Sequence, residues 1–169
     1  MKSTPAFILR NCALWFKGDI KVGQSSQMTI PSMKIKTESF RNAGMIAERE
    51  ISMGGYEREV AKFKETAFDP QVISSLGFLP GVSDDLMITG ALVDEDGVTN
   101  NATAYMRGFL KGVDFGDWAS GEKAEIDTEY VWHYLKLEVG GQELIEADDF
   151  DLSLNGVSQT GDIRSALLI

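Results

Sequence analysis

Polar and apolar positions alternate with a period of two over much of the chain, most clearly between Asn101 and Gly141. Lys123, Glu125, Asp127 and Glu129 interleave with Ala124, Ile126, Thr128, Tyr130 and Trp132, the pattern of a half-buried strand with one wet face and one dry. A first arm, Asn101 to Asp114, precedes it across a turn-rich segment from Phe115 to Gly121. The arms run ~14 and ~17 residues, so at ~3.3 Å per residue each reaches ~45 to 55 Å. A compact chain of this length has a diameter near ~40 Å, and straight arms would project beyond it. Placing Asp114 opposite Glu122 puts Lys111 across from Glu125, Arg107 across from Glu129 and Asp127 across from Phe109. The dry parity then flips from Tyr130, Trp132 and Tyr134 to Leu135, Leu137 and Val139. A bulge or bend near His133 to Leu135 is predicted, where the arm leaves one sheet and joins another.

The remaining segments are mostly extended. Ala13 to Val22 reads as a hairpin around Lys17, Gly18 and Asp19, and Gln24 to Gln27 as polar loop. Met28 to Ser39 is a strand that starts, bulges or lies at an edge near Pro31, which has no N–H to donate. Phe40 to Tyr56 reads as a long loop. Its Met45, Ile46, Ile51 and Met53, set around Glu48, Arg49 and Glu50, are costly to leave in water and suit an adaptable protein contact. Glu57 to Ala67 is a further strand. Asp69 then caps a short helix that opens with Pro70 and stops at Gly77, the one helix read from the sequence. Leu86 to Val93 is an apolar strand followed by the Asp94 to Gly97 turn. Val139 to Gln142 turns into Glu143 to Ala147, Asn155-Gly156 marks another turn, and the apolar end Leu167 to Ile169 is expected to be docked. The predicted fold is mostly β over a single domain, residues 1–169: two packed antiparallel sheets, sandwich- or barrel-like, with one short helix and long protruding hairpins.

Composition narrows the function classes. A net charge of −10 disfavours nucleic-acid binding through a basic patch, while a wall past which DNA slides without sticking would also be acidic. With one cysteine there is no intramolecular disulfide, and Cys12 reads as a small buried apolar residue. No apolar window approaches the ~18 to 20 residues of a membrane span, and Arg10 and Asn11 interrupt the N-terminal apolar run, so a soluble, unexported protein is expected. The one histidine, His133, lies between Trp132 and Tyr134 with no nucleophile motif around it. The acidic runs Asp94 to Gly97 and Asp148 to Asp151 lack the spacing and distal glutamate of a calcium loop. Neither an enzyme nor a cofactor is expected. A monomeric β-sandwich binding module, with calcium on those acidic turns, is the alternative from another class.

The runs MRGFLK (Met106 to Lys111), DFGDW (Asp114 to Trp118), GEKAE (Gly121 to Glu125) and YLKLEV (Tyr134 to Val139) resemble the major tail tube protein of contractile-tailed phages and R-type pyocins. MTIP (Met28 to Pro31) followed by KTESFRNAGM (Lys36 to Met45) is similar to that family's LPKL…KTE.YR.AGM segment. LNGV (Leu154 to Val157) is similar to its C-terminal turn. The resemblance runs from about Ala13 to the C-terminus, with little match between Phe68 and Asn101. It implies six copies closing a ring, two long hairpins from each joining an inner β-barrel, and rings stacking into a hollow tube inside a contractile sheath. The hairpins would be Met28 to Ser39 with Glu57 to Ala67, and Asn101 to Asp114 with Glu122 to Glu138. Glu59, Arg107, Lys111, Glu125, Asp127 and Glu129 would line the lumen as a largely acidic wall that DNA passes without specific binding. Met45, Ile46, Glu48, Arg49, Glu50, Ile51 and Met53 would dock on the next ring. Implied partners are further copies of the chain, the sheath protein, and baseplate and tail terminator proteins. The implied place is a virion tail assembled from protein made in the host cytoplasm. A bacteriocin, or an injection or secretion particle without a genome, shares these features.

Overall fold

The computed structural model describes residues 4–169. In chain order the backbone forms β1 (Ile8–Phe16), β2 (Asp19–Ile20), β3 (Ser25–Thr29), β4 (Met33–Phe40), β5 (Arg49–Arg58) and β6 (Ala61–Glu65). Helix α1 (Pro70–Ser74) follows, then β7 (Asp84–Val93), β8 (Thr99–Asp114), β9 (Ile126–Val139), β10 (Gln142–Ala147), β11 (Leu152–Leu154), β12 (Val157–Ser158) and α2 (Gly161–Ala166). The fold is mostly β, as the alternation predicts. Tight turns set the hairpins: Lys17 and Gly18, Gly140 and Gly141, and Asn155 and Gly156 all carry positive φ, the geometry that matches the twist of paired strands. At α1, Asp69 is the N-cap, its carboxylate accepting the Gln71 N–H at 2.9 Å, and Pro70 opens the helix.

Ten strands form one sheet in the order β12-β11-β10-β9-β8-β7-β1-β2, with β6 added to β9 and β3 to β6. β4 and β5 form a separate two-stranded arm. β9 holds this arrangement together. Along one edge it pairs with β8 throughout, while along the other it pairs with β6 from Ile126 to Tyr130 and with β10 from Leu135 to Val139. His133 is the extra residue where the partner changes: Arg107 faces Tyr134 and Gly108 faces Trp132. The buried parity flips across it, from Ile126, Thr128, Tyr130 and Trp132 to Leu135. The predicted bulge therefore sits at His133. Lys111 is a second extra residue, on β8, between Leu110 facing Tyr130 and Gly112 facing Glu129. One core cluster fills the space so enclosed, with Leu14 and Phe16 of β1, Ala61 and Phe63 of β6, Leu86 of β7, Met106 and Leu110 of β8, and Tyr130, Trp132 and Leu135 of β9.

Several expectations need correction. The β8–β9 register differs from the expected one: Asp114 faces Asp127, and neither Lys111–Glu125 nor Arg107–Glu129 is a cross-strand pair. The cause is the connection. Asp114 Oδ1 accepts the Gly116 N–H, the Glu122 N–H bonds to the Ala119 carbonyl, and β9 starts only at Ile126, so Lys123 and Glu125 belong to the loop and not to the strand. The long loop from Phe40 to Tyr56 is half strand, because Arg49 to Ser52 pair with Phe40 to Thr37 and leave only residues 41–48 as the tip. Ser25 to Gln27 lie in β3 and not in a loop. Met28 to Ser39 is two strands parted at Pro31, and Glu57 to Ala67 is divided after Arg58. Helix α2 is not expected from the sequence; it is six residues long with no buried side chain, too short for an apolar period to stand out. Cys12 is exposed. Leu167, Leu168 and Ile169 are 63%, 92% and 76% exposed, so the described residues of the single chain do not cover them.

Candidate functional site

Strands β3, β6, β9 and the end of β8 make a four-stranded stretch of sheet whose inner face enters the core. Its outer face is charged. On β6 the buried Ala61, Phe63 and Glu65 alternate with Lys62 and Lys64, and the register sets Lys62 opposite Glu129 and Lys64 opposite Asp127. Lys62 Nζ lies 3.2 Å from Glu129, and Lys64 Nζ lies 3.3 Å from Glu125 and 3.7 Å from Asp127. The hydrogen bond to Glu125, reinforced by the charge of Asp127, raises the Lys64 pKa above its ordinary value. Three of the six residues expected at a channel wall, Glu125, Asp127 and Glu129, are thus brought together. They are not a uniformly acidic strip. The lysines that interleave with them were not picked out, although the alternation in AKFKE carried the signal.

None of the other three is ion-paired within that ladder; Lys111 sits beside it, at the bulge between the residues facing Tyr130 and Glu129, and Glu59 lies within reach of the Lys62 charge. Glu59 lies at the junction of β5 and β6 and bonds Lys34 Nζ at 2.9 Å, which holds its carboxyl below the usual range. Arg107 is farther along β8, bound to Asp85 at 3.1 Å and to the Tyr105 hydroxyl at 3.1 Å. Lys111 projects from the β8 bulge and forms no ion pair among the described residues.

The arm β4–β5 is exposed on both faces, and two-stranded hairpins are marginal in water without support. Support comes at its base. Tyr56 stacks on Trp132, the Arg58 guanidinium lies over both rings and bonds Asp149 at 2.6 Å, and Trp132 Nε1 donates to the Glu59 carbonyl at 2.8 Å. At the tip, Arg41 Nε donates to the Met45 carbonyl and the Asn42 N–H to the Met45 sulfur, folding Met45 back on the turn. Ile46 is left alone, 95% exposed. Ile51 and Met53 are also exposed, on β5, where Glu50 accepts from the Thr37 hydroxyl at 3.4 Å. Glu48 lies in the tip, and Arg49 faces Phe40 at the first rung of the ladder. A cleft of about 990 Å³ separates the arm from the C-terminal segment, lined by Tyr56, Arg58, Asp148, Asp151, Leu152 and Ile163 among others.

The acidic turns hold their own backbone. Asp148 Oδ1 accepts the N–H groups of Phe150 and Asp151, Asp151 Oδ1 accepts from Leu152, Ser158 and Thr160, and Asp94 Oδ1 accepts from Asp96 and Val98. These are turn and capping roles. Among the described residues no group of three His, Cys, Asp or Glu side chains is arranged to hold a metal ion. His133 lies at the bulge with its ring 5.8 Å from that of Phe109.

Comparison with known proteins places the chain in a family. The tail tube protein of Escherichia phage P2 is 28% identical over 142 residues, covering 81% of this chain and 83% of the phage protein. A protein chain in the cryo-EM structure of the anti-feeding prophage baseplate, solved with 6-fold symmetry, superposes with a TM-score of 0.56 at 12% identity. That match covers 80% of this chain and 97% of the other, and it shows a shared fold. The family described as phage tail tube protein FII matches residues 6–167. The chain belongs to the phage tail tube protein FII family and is a structural component of a phage-type tail.

Proposed function

We propose that the chain builds a hollow tube by closing six copies into a ring through the four-stranded sheet β3-β6-β9-β8 and stacking the rings. The observation that carries this reading is a pair of open edges. Among the described residues β3 has a hydrogen-bonded neighbour only in β6, and beyond Leu110 β8 has one only in β9. Neighbours in this sheet all run antiparallel, so across four strands β3 and β8 point in opposite directions. The β8 edge of one copy can therefore take the β3 edge of the next without breaking the alternation, and repeating that contact closes a barrel with no exposed edge. The charged face with Lys62, Lys64, Glu125, Asp127 and Glu129 would then look into the channel, where DNA passes without specific binding. Ile46 at the arm tip would dock on the adjacent ring. Sheath protein would surround the tube, with baseplate and terminator proteins at its ends.

A tube of an injection particle or bacteriocin without a genome is the second reading, favoured by the likeness to the anti-feeding prophage chain. Negative-stain electron microscopy of the purified protein tests self-assembly directly. Rings or tubes are expected, and a monomer at every concentration would refute the proposal.

A further inference from the structure

The charged outer face of β6 and β9 carries its own counterions. Lys62 and Lys64 point away from the core at alternate positions of β6, a spacing that sets two ammonium groups in line along one strand. Two such groups, repeated around a ring, are the elements of a phosphate-tracking surface. Each is engaged. Glu129 holds Lys62 at 3.2 Å, and Glu125 and Asp127 flank Lys64 at 3.3 and 3.7 Å, so two ammonium groups meet three carboxylates. Two of these contacts are fixed by the cross-strand register and the third by the residue just before β9. Single exposed ion pairs are worth only ~0.2 to 1 kcal/mol, but these carboxylates are tethered beside the lysines and a passing phosphate is not.

We propose that Glu125, Asp127 and Glu129 serve as built-in counterions that mask a latent phosphate-binding surface formed by Lys62 and Lys64. The lysines have their own purpose. Asp114 already stands directly opposite Asp127, and a wall of carboxylates alone would repel itself across the strands when copies close a ring. Lysines relieve that repulsion, and the excess carboxylate prevents them from gripping a polyanion. This inference rests on the channel reading for its cargo, while the masking itself is a property of the single chain.

The test compares the parent protein with the Glu125→Gln, Asp127→Asn, Glu129→Gln triple variant and with the same variant carrying Lys62→Gln and Lys64→Gln. A short fluorescent single-stranded oligodeoxynucleotide is the probe, with anisotropy read over a salt series at protein concentrations below those that give rings. The triple variant should bind about tenfold or more tighter than the parent at low salt, with affinity falling steeply as salt rises, and the added lysine changes should abolish the gain. Equal binding by parent and triple variant, or a gain that survives loss of both lysines, overturns the proposal. A thermal melt on each protein confirms folding. If the triple variant unfolds, the single Glu129→Gln variant, which frees Lys62 alone, decides by the same comparison. Tube formation by the parent is scored separately, so failure of masking and failure of the tube reading are distinguishable.

Discussion

The Trp132 indole and the Tyr56 ring stack with centroids 6.3 Å apart and planes 12° from parallel, joining the projecting arm to the strand at the centre of the sheet. Trp132 is fully buried and also holds the Glu59 carbonyl through its indole N–H. Trp132→Ala is expected to cost ~3 to 5 kcal/mol in global stability, measured by urea denaturation. It should also release the arm, seen as faster amide exchange in β4 and β5 than in the rest of the sheet. Uniform exchange across the chain would show that the arm does not depend on this contact.

Gly108 is set by the bulge opposite it. A Cβ there would fall onto the Val131 carbonyl oxygen and lie 2.8 Å from the Trp132 Cα, both backbone atoms that cannot move aside. Gly108→Ala should therefore destabilise the protein by about 3 kcal/mol or more, visible as a lowered melting temperature. Gly112→Ala, four residues along the same strand and with open space around it, is the control and should change little.

Glu65 gives the fold a pH dependence. It is 1% exposed, one carboxylate oxygen has no hydrogen-bond partner, and its nearest charges are Asp69 and Lys21, the latter held by Asp69 at 2.6 Å and Gln71 at 2.5 Å. Burial, assisted by the Asp69 charge, pushes its pKa from 4.5 up to about 7. The folded protein thus keeps a proton that the unfolded chain loses. The resulting stability is full below pH ~4.5 and is lost as pH rises towards ~7, by up to roughly 3 kcal/mol. Urea midpoints should fall across this window in the parent and stay level in Glu65→Gln. Parallel curves for the two would refute this assignment.

The arm tip offers a separation of assembly from folding. Ile46 is almost fully exposed and touches no core residue, so Ile46→Asp should leave stability within ~0.5 kcal/mol of the parent. If the tip docks on the next ring, that variant should form rings but few stacked tubes, as judged by electron microscopy and sedimentation. Normal tubes would remove the tip from the stacking contact.

What the sequence revealed follows from which signals are local. The alternation from Ile126 to Trp132, the parity flip around His133, the paired positive-φ turns and the Asp69-Pro70 cap are short-range patterns, and each appears where it was expected. Register is not local. It depended on how the Phe115 to Glu125 connection folds on itself, and a polar-apolar alternation continuing through Lys123 and Glu125 concealed where β9 begins. β5 was obscured by Gly54 and Gly55 and by exposure on both faces, which leaves no dry parity to read. The acidic face was legible one strand at a time, but its neutralisation by Lys62 and Lys64 required knowing that β6 lies beside β9. Cys12 is exposed for another reason, and the same reason leaves open what covers Leu167, Leu168 and Ile169: apolar character says that cover is needed, not that the same chain supplies it.

The change of partner at His133 has a mechanical side. Ile126 to Tyr130 pair with β6, and Leu135 to Val139 pair with β10, yet both are one unbroken strand. A pull or push on the first segment reaches the second through peptide bonds, not across a sliding interface of side chains. Shearing the two parts of the molecule past one another would mean stripping β9 from β8 along its length, so under load the chain should behave as one stiff body that yields all at once.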